Sequence, residues 1–213
     1  SKEYKKMYLD FKGRKLSEIS EFAKRKGSNG EAGVAIGIPS IPTVGNILSI
    51  TSSDFLRNLS CKADAVVFGS VQSKTAHLTE DETFVYTEYE FLVRDILKNT
   101  PSNQIELGKS IQITRPGGLI KLDNQVIRVE DRSYRWLQTG KEYLLFLRYI
   151  PSTGGYMTSS VEGDFILEGN SFKGLSVIGL PEDIERNKDS QSLLETARSA
   201  ISTGCVQNST GGK

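Results

Sequence analysis

The stretch Thr83-Phe84-Val85-Tyr86-Thr87-Glu88-Tyr89-Glu90-Phe91-Leu92-Val93-Arg94-Asp95-Ile96-Leu97 decides the fold class. Val85, Thr87, Tyr89, Phe91 and Val93 occupy every second position, with Glu88, Glu90 and Arg94 on the other set. A period of two sends one set into a core and the other into water, the mark of a half-buried β-strand. A polar turn, Thr79-Glu80-Asp81-Glu82, precedes it. Before the turn, residues 65–76 carry Val66, Val67, Phe68 and Val71 around Gly69. This predicts a second strand, with a bulge or sharp bend at the glycine.

Further strands are predicted downstream. Ile111 and Ile113 mark one, stopped by Pro116-Gly117-Gly118, and short strands are predicted at 119–122 and 125–130. Residues 142–149 are apolar on both sets, Tyr143, Leu145, Leu147 and Tyr149 against Leu144 and Phe146. Gly154-Gly155 leads into a strand near 156–160, and Gly163 into Phe165–Leu167. Six to eight short strands divided by turn signals predict a sandwich or small barrel. The long, bent first pair favours a barrel, because closure needs coiled strands.

Helical spacing flanks the strands. Tyr4, Met7, Tyr8 and Phe11 share one helical face, and Leu16, Ile19, Phe22 and Ala23 repeat it. Lys24-Arg25-Lys26-Gly27 makes a C-terminal signal. Gly33, Gly37, Pro39, Pro42 and Gly45 then predict an extended connector, and Ser53 or Asp54 caps a short helix to about Leu59. Asp189 or Ser190 caps a last helix with the stripe Leu193, Leu194, Ala197 and Ile201, ended by Gly204. The organisation expected is a helical arm and connector over 1–52, a β-module with its terminal helix over 53–205, and a disordered tail over 206–213.

The chain has 213 residues and a net charge of +1, so composition excludes a globally basic nucleic-acid binder. No unbroken apolar run is long enough for a transmembrane helix. One His and two Cys are too few for a His-rich or Cys-rich metal centre, and no metal or other cofactor is expected. Residues 1–27 hold nine basic and four acidic residues, so contact of this arm with an anionic membrane surface or nucleic acid is one reading and a solvated helix face the other. Cys61 precedes the first strand of the module and Cys205 follows the last helix. They read either as a bridge across the ends of one core, in an oxidising compartment, or as two buried free thiols.

The run Cys61-Lys62-Ala63-Asp64-Ala65-Val66-Val67 resembles the start of netrin-like modules such as the tissue inhibitors of metalloproteinases. Tyr89-Glu90-Phe91-Leu92-Val93 with Lys98, Ile105 to Thr114, Gly140-Lys141-Glu142-Tyr143-Leu144, Gly163-Asp164-Phe165-Ile166 and Gly204-Cys205 follow in the same order. The resemblance covers about residues 61–205. It implies a mainly β fold: an OB-like closed Greek-key barrel with an N-terminal helical extension, a C-terminal helix and a Cys61–Cys205 bridge. The inhibitors' N-terminal Cys-x-Cys is absent here, so their zinc-directed chemistry is not implied. What remains is an extracytoplasmic protein-binding module, secreted, periplasmic or on the cell surface, with a protease as one partner class.

No nucleophile–base–orienter set is legible: Gly-x-Ser-x-Gly, paired histidines and a phosphate loop are all absent, so no catalysis is expected. Arg132-Ser133-Tyr134-Arg135-Trp136 interleaves guanidinium groups with aromatic rings, the residue types enriched at binding hot spots. With His77 and Arg115 these residues form the expected partner-binding set. The alternative is an OB-fold protein binding single-stranded nucleic acid or oligosaccharide by stacking; nucleic acid is disfavoured by the acidic body.

Overall fold

The computed structural model describes residues 15–25, 31–36, 50–100, 105–122, 125–131, 135–160, 162–175, 181, 184 and 189–205. The helical face expected over Tyr4 to Phe11, the connector from Gly37 to Gly45, residues 132–134 and the tail lie outside them. The chain runs α1 (Leu16–Arg25), β1 (Glu31–Ile36), α2 (Ser52–Lys62), β2 (Ala65–Leu78), β3 (Val85–Lys98), β4 (Ser110–Pro116), β5 (Gly118–Leu122), β6 (Gln125–Asp131), β7 (Glu142–Ile150), β8 (Gly155–Thr158), β9 (Asp164–Glu168), β10 (Ser171–Gly174) and α3 (Ser190–Ser202).

The strands form two sheets. One has three strands in the order β1-β6-β5; the other has seven in the order β10-β9-β7-β2-β3-β4-β8. β8 also pairs with β7, so pairings trace a ring of five strands through β7, β2, β3, β4 and β8. The ring is not a closed barrel. Its seam between β4 and β8 is only two residue pairs, Ile113 with Tyr156 and Thr114 with Met157. The sheet also continues past β7 into β9 and β10. The expected OB-like Greek-key barrel of the netrin and metalloproteinase-inhibitor type is therefore corrected to a mixed α/β fold with two sheets.

The physical reason lies in β7 and in residues 118–131. β7 is apolar on both faces, so it serves two cores. Tyr143, Leu145 and Leu147 face one with Val67, Tyr89, Phe91 and Leu137. Leu144 and Phe146 face another with Phe55, Leu56, Phe165, Leu193 and Ala197 of the helices and β9. The strands at 118–122 and 125–131 leave the ring for a separate sheet with β1, over a third core of Leu16, Phe84, Val85, Ile127 and Val129. β1 lies where a connector was expected, and it is held by parallel pairing with β6.

Two glycines are required by close approach. A Cβ at Gly69 would fall 2.0 Å from the Leu92 carbonyl oxygen, and the β2–β3 register slips between Phe68 and Gly69, the expected irregularity. A Cβ at Gly118 would meet Thr87 Oγ1 at 2.5 Å and Ala76 Cβ at 2.9 Å, where β5 crosses the β2–β3 ribbon. Helix α2 starts at least two residues earlier than expected: its cap is Thr51 rather than Ser53 or Asp54, with Thr51 accepting from the Asp54 N–H at 3.1 Å. At its other end Lys98 Nζ donates to the carbonyls of Ser60 and Ala63 at 2.8 and 2.6 Å. Asp189 caps α3, and Gly204 follows it at φ 75°.

A disulfide joins Cys61 of α2 to Cys205 beyond α3, 144 residues apart in sequence, with Cα atoms 5.6 Å apart. Closing so long a loop removes conformational freedom from the unfolded chain. Replacing both cysteines by serine is expected to cost about 2–5 kcal/mol. Urea unfolding of the variant against the oxidised wild type measures it, and an unchanged midpoint contradicts it.

Candidate functional site

The pleat of the β2–β3 ribbon sorts its side chains onto two faces. Lys74 pairs with Tyr89 and Ala76 with Thr87 on one; Ser73, Thr75 and His77 pair with Glu90, Glu88 and Tyr86 on the other. The first face borders a cleft of about 130 Å³ lined by Lys74, Ala76, Thr87, Tyr89, Leu119 and Trp136. The second borders a groove of about 400 Å³ lined by Ser73, Thr75, His77, Glu88, Glu90 and Gln112 among others.

Trp136 is held in place by its neighbours. Leu137 is 1% exposed and fills the core with Tyr89 and Tyr143. The Gln138 N–H donates to the Tyr143 hydroxyl at 2.7 Å. Arg115 Nη1 donates to the Arg135 carbonyl at 2.9 Å. The indole, half-buried between these anchors, lies 4.9 Å from the Arg128 guanidinium. Fixing the backbone of Arg135–Gln138 costs about 4–8 kcal/mol. Burying Leu137 returns about 1.5–3 kcal/mol. The charge-assisted Arg115 bond returns about 1.5–3 and the Tyr143 bond about 1. The terms nearly balance, so the display of Trp136 depends on each anchor.

Arg115 is itself buried. Its Nη2 bonds the carboxylate of Asp164, and the two side chains are 3% and 0% exposed. Thr158 Oγ1 donates to the same carboxylate, 3.3 Å from Oδ2. Burial pushes the Asp164 carboxyl up to about 6, against the downward pull of the Arg115 guanidinium and the Thr158 hydroxyl. Burial also raises Tyr89 and Tyr143, so both phenols stay neutral.

The expected site residues therefore separate. Arg135 is exposed and Trp136 sits on the cleft. Arg132 and Tyr134 lie outside the described residues. Arg115 is not a surface partner contact; it reaches inward to Asp164 and holds Trp136's neighbour. His77 belongs to the opposite face, stacked on Tyr86 with ring centroids 5.2 Å apart. Its Nε2 lies 2.9 Å from Glu88 Oε2 but is not aligned for a hydrogen bond. Arg128, Asp164 and Lys74 are not among the site residues expected from sequence. The alternation of 125–130 puts Arg128 on an outward face, but only the sheet crossing brings it to Trp136.

Among the described residues, no cluster of three or more His, Cys, Asp or Glu side chains is placed to hold a metal ion, and no helix is long and apolar enough to cross a membrane. The disulfide is consistent with an oxidising, extracytoplasmic environment. No protein-family model matches the chain, and no curated protein is significantly similar to it.

The chain holds one tryptophan, so its fluorescence reports this site alone. Arg115→Met leaves Asp164 without its guanidinium and frees the Arg135 carbonyl. The expected cost is about 3–5 kcal/mol, with Trp136 emission moving to longer wavelength before global unfolding. Coincident emission and far-UV transitions at the wild-type midpoint contradict this.

Asp164 also sets a pH dependence. Its carboxyl titrates near 6 when folded and near 3.8 when exposed, so between these values the folded chain holds the extra proton. Its contribution to stability then falls as pH rises through that window and returns as pH falls. The stability of wild type relative to Asp164→Asn is expected to drop between pH 4 and 6, by on the order of 2–3 kcal/mol. A flat difference across that window contradicts it.

Proposed function

We propose that this protein is a non-catalytic binding module that works outside the cytoplasm and docks a partner protein through the Trp136 face. The observation that carries the reading is the anchoring of Arg135–Gln138 by Leu137, Tyr143 and Arg115, which presents one aromatic side chain in a fixed place. Pre-ordering of this kind lowers the entropy lost on binding. The neighbourhood suits a protein hot spot: Trp136 under Arg128, with exposed Arg135, Lys74 and the 47% exposed Leu119 around it. The disulfide supports export to the cell surface, the periplasm or the medium. Nothing among the described residues favours a protease over another protein partner.

The test is site-specific photo-crosslinking in the extracytoplasmic fraction of the source cells. A photoreactive residue in place of Arg135 is expected to trap a defined protein, and one in place of Glu168 on β9 is not. The purified pair is then titrated. Trp136→Ala is expected to weaken binding by at least about thirtyfold, the scale of a hot-spot truncation. Equal trapping at both positions, or unchanged affinity, overturns the proposal. Salt-sensitive binding of a single-stranded oligonucleotide in place of a protein also overturns it.

A further inference from the structure

We infer that the outer edge of β2 from Ser73 to Leu78 is the docking edge for an extended segment of the partner, with acidic side chains on one face of that segment and basic ones on the other; this rests on the protein-binding reading above.

The argument begins with backbone pairing. β2 pairs with β7 only from Ala65 to Ser70, and two further bonds join Val71 to Lys141 and Gly140. The register slips between Val71 and Ser73. From Ser73 to Leu78, β2 pairs with β3 without a break, and among the described residues no strand lies along its other side. Alternate residues of such a run turn N–H and C=O groups outward, a ready template for another strand. Gln72, Ser73, Lys74 and Thr75 are all exposed.

Side-chain chemistry then says what kind of strand fits. An added strand continues the pleat, so its alternate side chains fall over the two faces of the ribbon. Over one face they meet the cleft with Lys74 and Trp136, where Lys74 is the cation on the lining; Arg128, over the indole, is already ion-paired with Glu130. Over the other they meet the groove with Glu88 and Glu90, whose lining includes no Lys or Arg. Acidic side chains match the first face and basic ones the second. A second copy of this chain fits worse. In-sheet pairing of the edge with itself keeps both Lys74 side chains on one face, and facing like charges are destabilising.

The probe is an end-blocked peptide of about ten residues with Glu and Arg in strict alternation, a length that covers a typical strand. Its control has the same composition in two blocks, acidic then basic. Amide shifts and hydrogen exchange of Ser73–Leu78 and Trp136 emission are the readouts. The alternating peptide is expected to protect edge amides and to bind at least about tenfold more tightly than the block peptide. N-methylation at every second residue is expected to abolish binding in one phase and to spare it in the other, because only one set of N–H groups faces β2. Lys74→Glu, checked for unchanged thermal stability, is expected to weaken binding by at least about tenfold.

Unperturbed Ser73–Leu78 amides at millimolar peptide overturn the inference. So does equal binding by both N-methylation phases, or a concentration-dependent dimer in which these amides become protected. If a partner trapped at position 135 binds Lys74→Glu with unchanged affinity and leaves the edge amides unprotected, the docking edge falls. The broader protein-binding reading then still stands.

Discussion

The buried ion pair of Arg115 and Asp164 is the constraint on which much of the rest depends. It joins β4 to β9, which do not pair with each other, across the core of the strand ring. Arg115 then carries the constraint outward through the Arg135 carbonyl to the segment bearing Trp136. An ion pair removed from water gains little net stability, because desolvation cancels most of the attraction. Its effect here is on position. Asp164 has hydrogen bonds from Arg115 and Thr158, and losing either leaves a buried carboxylate short of a donor.

Around that pair, three cores divide the work of stability. The ribbon of β2 and the double-faced β7 separate the interior of the strand ring from the helical layer. The third core joins the three-stranded sheet and α1 to the hairpin tip, where the Leu16 N–H donates to the Glu82 carbonyl and Ser17 donates to the Glu82 carboxylate. The consequence for function is a division between a tightly packed base and a three-stranded arm of β2, β3 and β4, with β2 at its edge. The arm is half-covered on one face and open on the other.

The local elements were largely legible in the sequence. Alternation at Val85 to Val93, the apolar run of 65–76, the glycine irregularity at Gly69, and the caps of the last helix carry their own short-range physics. The global arrangement was not. Whether five paired strands close a barrel depends on how many residues meet at the last seam, and nothing local in Ile113-Thr114 or Tyr156-Met157 encodes a seam of two pairs. Gly33 and the following Gly and Pro residues look like a connector; the β1 strand exists only through pairing with β6. β10 is four residues long and too short for periodicity. For the site, composition pointed to Trp136 and Arg135. It could not show that Arg115 turns inward or that the parity of the ribbon places His77 on the far side.

The disulfide has a further meaning for a protein exposed to proteolysis. Cys61 and Cys205 enclose nearly all of the sheet structure within one covalent ring. A single cut in any loop between them opens the ring without releasing a fragment. The severed ends stay tethered, and packed strands hold them in register. Both cysteines are exposed, so the ring is within reach of a soluble thiol. One nick alone leaves one molecule; a nick followed by reduction leaves two.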